Sequence, residues 1–199
     1  MKFVSIDIET TGLDPETCDI VEVGAVVGDL SSNTPVEELP TFHCYIIKKS
    51  YSGDPYALSM HPTIFRRIAN VEKPYRYITP ENFNAHFERF LVDNGFEYGE
   101  RSGKVTFTPA GKNFAAFDLQ FLNKHFGFSK YFSSAHRVLD PAMLYFDLSV
   151  DTELPNTAEC MKRAGMGGVV AHTAVEDARV VVDLLRHKLS DKLLTVRQH

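Results

Sequence analysis

Positive charge, cysteine and long apolar runs are all scarce in this 199-residue chain. Asp and Glu number 26 against 21 Lys and Arg, for a formal net charge of −5. That balance argues against a general nucleic-acid coat, which would be basic. It leaves room for local binding of an anion through bound metal ions, because such cations invert the field around them. Cys18, Cys44 and Cys160 are far apart, odd in number and without metal-ligand spacing, so they read as reduced thiols of a cytoplasmic protein. No apolar run approaches membrane-spanning length and the N-terminus has no signal-peptide pattern, so no membrane association is expected. Internal repeats, low-complexity segments and interdomain linkers are lacking too. One domain over residues 1–199 is the expectation, with an ordinary 44% hydrophobic content from which to build a core.

The informative stretch is Asp7-Ile8-Glu9-Thr10-Thr11-Gly12. Phe3 to Ile8 is an apolar run that ends at a Thr-Gly turn, the pattern of a short buried strand. Residues two apart on a strand point to the same side, so Asp7 and Glu9 project together at its C-terminal end. Two carboxylates side by side repel unless a cation sits between them, and a divalent metal suits that place. The same spacing also fits an acidic strand end that simply meets water. Two further acids stand in suitable contexts. Asp118 lies in the first turns of an expected helix on which Phe114, Phe117, Phe121 and Leu122 recur at helical spacing. Asp177 lies near the start of another, running from about 173 to 189 with Ala174, Ala178, Val181 and Leu185 on its inner face.

Taken together and in this order, the three segments resemble the DEDDh 3′→5′ exonucleases of the ribonuclease H-like superfamily. The first motif of that family, Asp-x-Glu-Thr-Thr/Ser-Gly, is similar to Asp7, Glu9, Thr10, Thr11 and Gly12, followed by Leu13. The second, an Asn and then Phe-Asp, resembles Asn113, Phe117 and Asp118, and the third, His-x-Ala-x-x-Asp, resembles His172, Ala174 and Asp177. The resemblance runs from residue 3 to about residue 189. One departure is Lys112, where many members carry His before the Asn; it bears on substrate contacts more than on chemistry.

The coarse pattern agrees with that fold. Strands are expected at about 3–8, 20–28, 41–47, 104–109 and 137–139, with the polar stretch from Leu30 to Pro40 as an extended hairpin loop. Helices are expected at about 55–70, 81–94, 141–147, 156–164 and 173–189, with a glycine- and charge-rich loop from Gly95 to Gly103. Three consecutive strands followed by alternating helices and strands make an α/β protein, with a mixed five-stranded sheet flanked by helices. Asp140-Pro141 reads as a helix N-cap with proline at the first helical position.

By resemblance, four carboxylates hold two Mg²⁺ or Mn²⁺ ions, the pair of cations that phosphodiester hydrolysis uses about 4 Å apart. Asp7 would bridge both, Glu9 and Asp177 would complete the first, and Asp118 would support the second. His172 would be the general base that takes a proton from the attacking water, since a neutral imidazole near pH 7 can do so. Five residues at ~100° each leave His172 and Asp177 about 140° apart on a helix. His172 is therefore expected in the preceding loop, made mobile by Gly165, Gly167 and Gly168.

The resemblance further suggests that backbone groups of Thr10, Thr11 and Gly12 hold the terminal 3′-hydroxyl while Leu13 wedges against the last base. Asn113 fits a helix N-cap, a substrate contact or both. Phe117 fits the core better than a stacking platform. Ala57, Leu58, Met60 and His61 resemble a family segment lining the nucleotide pocket, and in isolation are an amphipathic helix start. His43, His125, Lys48-Lys49 and Arg66-Arg67 read as structural or solvated.

The implied activity is metal-dependent release of 5′-mononucleotides from the 3′ end of single-stranded DNA or RNA. The alternative is a catalytically silent nucleic-acid-binding or polymerase-associated module, against which all five catalytic positions are present. The short stretch after the last expected helix favours a stand-alone enzyme over a polymerase-bound proofreader, and a homodimer and a polymerase partner stay open.

Overall fold

In the computed structural model, described for residues 1–134, 137–167 and 173–196 (from 190 on by backbone alone), the chain is a mixed sheet between two helical layers. The elements in chain order are β1 (Lys2–Thr10), β2 (Ile20–Asp29), β3 (Thr41–Ile46), α1 (Pro55–Met60), α2 (Pro62–Asn70), β4 (Tyr77–Ile78) and α3 (Pro80–Asp93). There follow β5 (Val105–Phe107), β6 (Pro109–Ala110), α4 (Asp118–Phe126), α5 (Phe128–Tyr131), β7 (Phe132–Ser134), α6 (Ala142–Tyr145), α7 (Thr157–Arg163) and α8 (Ala174–Val196). A 3₁₀ turn at Val36–Glu38 interrupts the loop between β2 and β3.

The five-stranded sheet has the order β4-β3-β2-β1-β6. β1 pairs antiparallel with β2 and parallel with β6, while β3 pairs antiparallel with β2 and parallel with β4. β1 is thus an inner strand, and its alternation decides what faces each layer. Phe3 and Val26 turn toward α8 and pack with Ala178, Val181, Val182 and Leu185. Val4, Ile6 and Ile8 turn the other way, into a phenylalanine-rich core with α3 and α4. There Phe42 meets the Phe87 ring edge-on at 5.3 Å, and Phe83 stacks on Phe126 at 4.1 Å.

The sheet has five strands, as expected, but two of the expected segments behave differently. Residues 137–139 supply only a single bridge, Ala110 to Leu139, and the edge strand is instead the two-residue β4. The expected strand at 104–109 divides: β5 pairs with β7 in a separate two-stranded sheet, and β6 joins β1. The expected helix over 55–70 breaks at His61, because Pro62 has no N–H to continue the ladder and opens a new helix at its first position. α8 continues to Val196, beyond the expected end at 189, since the sequence after Leu189 offers neither Gly nor Pro to stop it. No helix among the described residues is long and apolar enough to cross a membrane.

Candidate active site

β6 pairs with β1 only at Val4 and Ser5, after which Gly111 carries the chain away from the sheet. The outer edge of β1 is left open just where the acids stand. The backbone N–H of Ile8, which a longer neighbour strand would have taken, donates instead to Oδ1 of Asp118 at 3.2 Å. Asp118 is the first residue of α4 and only 4% exposed. Its carboxylate is therefore fixed beside the end of β1 by the strand's own backbone.

Asp177 comes from the opposite layer. The N-terminus of α8 packs directly on β2 at Gly24: a Cβ there would lie 2.4 Å from the Ala174 carbonyl carbon and 2.5 Å from the Val175 nitrogen. Gly24 is the cross-strand partner of Asp7. This close approach brings one carboxylate oxygen each of Asp7, Glu9 and Asp177 within 4.8 Å of one another. Asp118 completes the set from the other side. It lines, with Asp7, Lys112, Asn113, Phe117 and Asp140, a cavity of about 390 Å³.

So many acids in a half-buried place cannot all ionise alone. Burial, then the charges of Asp118, Asp177, Glu9 and Glu22, hold the Asp7 carboxyl well above the usual range. Burial and the neighbouring Glu22, Asp177 and Asp118 push Glu9 up to about 8. Burial pushes Asp118 to about 7, although the hydrogen bond from Ile8 works against it. A hard divalent cation relieves this repulsion, and an all-oxygen donor set suits Mg²⁺ or Mn²⁺. The residues present fit such an ion.

The other expected site residues divide. Thr11 is fully buried and tied inward: its N–H donates to the Asp19 carbonyl at 2.9 Å, its carbonyl accepts from Asp54 N–H at 2.8 Å, and its Oγ1 accepts from Asp19 N–H at 2.7 Å. The Thr10 hydroxyl donates to the Gly12 carbonyl at 2.7 Å. Both threonine side chains hold the turn together. Gly12 is required by close approach, since a Cβ would lie 2.5 Å from the Cys18 sulfur. Leu13 and Met60 are exposed, at 80% and 55%, and neither lines that cavity. Phe117 packs partly against the core, the role expected of it, and also lines the cavity.

Asn113 is not the N-cap of its helix. It takes a left-handed conformation at φ 56°, its carbonyl accepts from Ala116 and Phe117, and α4 begins only at Asp118. Phe114, expected on that helix, precedes it. His172 lies outside the described residues.

Four contributors carried weaker sequence signals. Gly24 sits inside an apolar strand, and a glycine there is a sign of close backbone approach. Glu22, 2% exposed, is the cross-strand partner of Glu9 and adds a buried carboxylate behind the cluster, 2.6 Å from His43 Nε2. Asp140 does more than cap: Oδ1 accepts from Ala142 N–H and Oδ2 from Asn113 N–H, both at 2.9 Å, so it clamps the Asn113 turn to the start of α6. His61 lies with its Nε2 3.2 Å from the Thr10 carbonyl and 3.7 Å from Glu9 Oε2. A carbonyl can only accept, so Nε2 carries the proton, and burial holds this imidazole below its usual pKa. Lys48, expected at a solvated surface, pairs with the buried Asp19.

Residues 4–88 match the model of a family described as Exonuclease, RNase T type. No curated protein matches the chain in sequence. Among solved structures, the chain is similar to Escherichia coli Exonuclease I bound to a dT13 oligonucleotide, with TM-score 0.61 and 16% identity. It is likewise similar to the zinc-bound form of an Exonuclease I–single-stranded DNA complex from the same organism, with TM-score 0.60 and 16% identity. In each case the match covers 98% of this chain and 43% of the other, so the chain spans under half the length of these relatives.

Proposed function

We infer the function from the premise that the chain is an exonuclease of the DEDDh type with a ribonuclease H-like fold, and propose a metal-dependent 3′→5′ exonuclease acting on single strands. One observation carries this reading: Asp7, Glu9 and Asp177 gather within 4.8 Å, with Asp118 beside them, at the end of an inner strand. Asp7 is central to the cluster and is assigned to both of two ions, Glu9 and Asp177 to one, and Asp118 to the other. When bound, such ions supply charge neutralisation at phosphorus and an activated water. His172 is assigned as the general base. Single-stranded DNA is the first substrate to test, because the matched Exonuclease I structures hold it.

The chain's own residues supply position. Asp118 is anchored by Ile8, and Asp140 anchors the Asn113 turn. Thr11 ties the β1 turn to residues 52–54, and the exposed Leu13 that follows this turn is assigned to the terminal base. Buried, unpaired cysteines support a reducing, cytoplasmic setting. The experiment is cleavage of 5′-labelled single-stranded DNA and RNA with Mg²⁺ or Mn²⁺, resolved by length. A ladder shortening from the 3′ end, with 5′-mononucleotide products and strong slowing by a blocked 3′ end, is expected. Undiminished cleavage in excess chelator would overturn the metal assignment.

A further inference from the structure

Glu22 is a buried carboxylate that the proposed reaction does not use. It stands directly across from Glu9 in the β1–β2 ladder, so the two side chains share one face of the sheet. One of its oxygens, Oε1, lies 2.6 Å from Nε2 of His43 on β3, the strand on the side away from Glu9. A carboxylate can only accept, so His43 Nε2 donates. The other oxygen, Oε2, is buried and has no hydrogen-bond partner among the described residues. Arg67 feels the charge of Glu22 but directs its guanidinium to the Tyr45 hydroxyl at 2.6 Å. His43 is therefore the one basic group paired with Glu22 among the described residues. Its ring is held in turn, edge-on to Tyr45 at 4.9 Å and to Tyr75 at 5.9 Å.

An unpaired carboxylate oxygen inside a protein is costly, and a second carboxylate beside it raises the cost. Of the charges acting on Glu9, that of Glu22 is the largest, and it also reaches Asp7. In the metal-free protein this arrangement is only repulsive. A divalent cation held by Glu9 turns it into attraction, because the ion carries the opposite sign. We propose that Glu22, oriented by His43, is a positioning residue of the metal site. It acts through Glu9, adding a fifth negative charge that tightens binding of the divalent cation without touching the strand. This deepens the exonuclease reading and rests on it. Groups just beyond the ligands set ligand orientation and charge in metal sites, and their loss costs ~10–100-fold in metal affinity or activity.

The test titrates Mn²⁺ by calorimetry into the parent, Glu22→Gln, His43→Leu and His43→Gln, with thermal melts and single-strand cleavage on the same preparations. A pH of ~8.5 keeps Glu9, pushed up to about 8, mostly ionised, so that proton release does not mask the charge effect. Glu22→Gln is expected to raise the Mn²⁺ dissociation constant about tenfold. Its metal-free melting temperature should not fall, because a repulsion has been removed; loss of a merely structural residue would lower it. Turnover lost at low Mn²⁺ should be recovered at saturating Mn²⁺. His43→Leu removes the donor to Oε1 and should weaken Mn²⁺ binding in the same direction, while His43→Gln keeps a donor and should restore it. Parental Mn²⁺ affinity in Glu22→Gln would overturn the proposal. So would a loss of turnover that saturating Mn²⁺ does not recover, which would put Glu22 in the chemistry itself. Parental affinity in His43→Leu would overturn the part assigned to His43. A parent that neither binds Mn²⁺ nor cleaves would defeat the exonuclease reading, and this proposal with it.

Discussion

Gly24 stands directly across from Asp7 in the β1–β2 ladder, and its missing side chain is the space that the first turn of α8 occupies. The acidic cluster depends on this packing, because Asp177 is three residues into that helix. Gly24→Ala would drive a methyl group into the Ala174 and Val175 backbone at 2.4–2.5 Å. Overpacking of this kind costs ~1–3 kcal/mol. The expected result is a lower melting temperature together with weaker Mn²⁺ binding, since the helix must retreat and take Asp177 with it. Unchanged metal affinity in a folded Gly24→Ala protein would show that the approach of α8 does not set the site.

Much of the site was legible because its logic is local. Asp7 and Glu9 share a face through strand alternation, and Asp118 and Asp177 open helices whose apolar stripes are plain in the sequence. What was not legible depended on partners far along the chain. The anchoring of Asp118 by Ile8 arises because β6 is only two residues long, a fact of tertiary pairing that no periodicity shows. The left-handed turn at Asn113 was hidden for the same reason. The run from Phe114 to Leu122 has helical spacing, but Asp140, 27 residues away, holds its beginning outside the helix. The two-residue β4 carries too short an apolar signal to distinguish it from a loop, whereas the break at Pro62 was readable in principle from the proline alone.

Removing that clamp should be measurable. Asp140→Ala leaves the Asn113 and Ala142 N–H groups without their acceptor, at a cost of ~1–2 kcal/mol in stability. The Asn113 turn would then no longer be fixed beside the cavity, so kcat/KM on a single strand should fall about tenfold while Mn²⁺ affinity persists. Thermal melts, metal titration and cleavage rates on the same preparation check all three statements. A loss of Mn²⁺ affinity as large as the loss of activity would assign Asp140 to the metals instead.

The cluster also predicts how metal and pH act together. In the metal-free folded chain Glu9 is held at about 8, Asp118 at about 7, and Asp7 above the ordinary range. In the unfolded chain such groups titrate near ~4. The folded state therefore binds more protons between these limits. The stability that these groups contribute is full below about pH 4 and is lost as pH rises through about 7–8. A divalent ion binds the ionised carboxylates and reverses that loss by mass action. The rise in melting temperature on adding millimolar Mn²⁺ should thus be small near pH ~5 and large near pH ~8. Equal shifts at both pH values would mean that the acids are not protonated in the metal-free protein.

The last prediction separates proton transfer from ligation. His172→Ala is expected to leave Mn²⁺ affinity nearly intact, because His172 is assigned to the attacking water and the carboxylates to the metals. Turnover should fall by ~10²–10⁴, the usual loss when a general base is removed. Asp7→Asn should weaken both, since it takes a charge from the carboxylate that feels Glu9, Asp118 and Asp177 together. Calorimetric metal titration beside single-turnover cleavage distinguishes the two variants. If His172→Ala lost metal as badly as Asp7→Asn, the histidine would be a ligand. If it cleaved at the parental rate, His61 could not simply inherit the role: its Nε2 proton is engaged by the Thr10 carbonyl and its ring sits below the usual imidazole pKa, so hydroxide would be the base to test next.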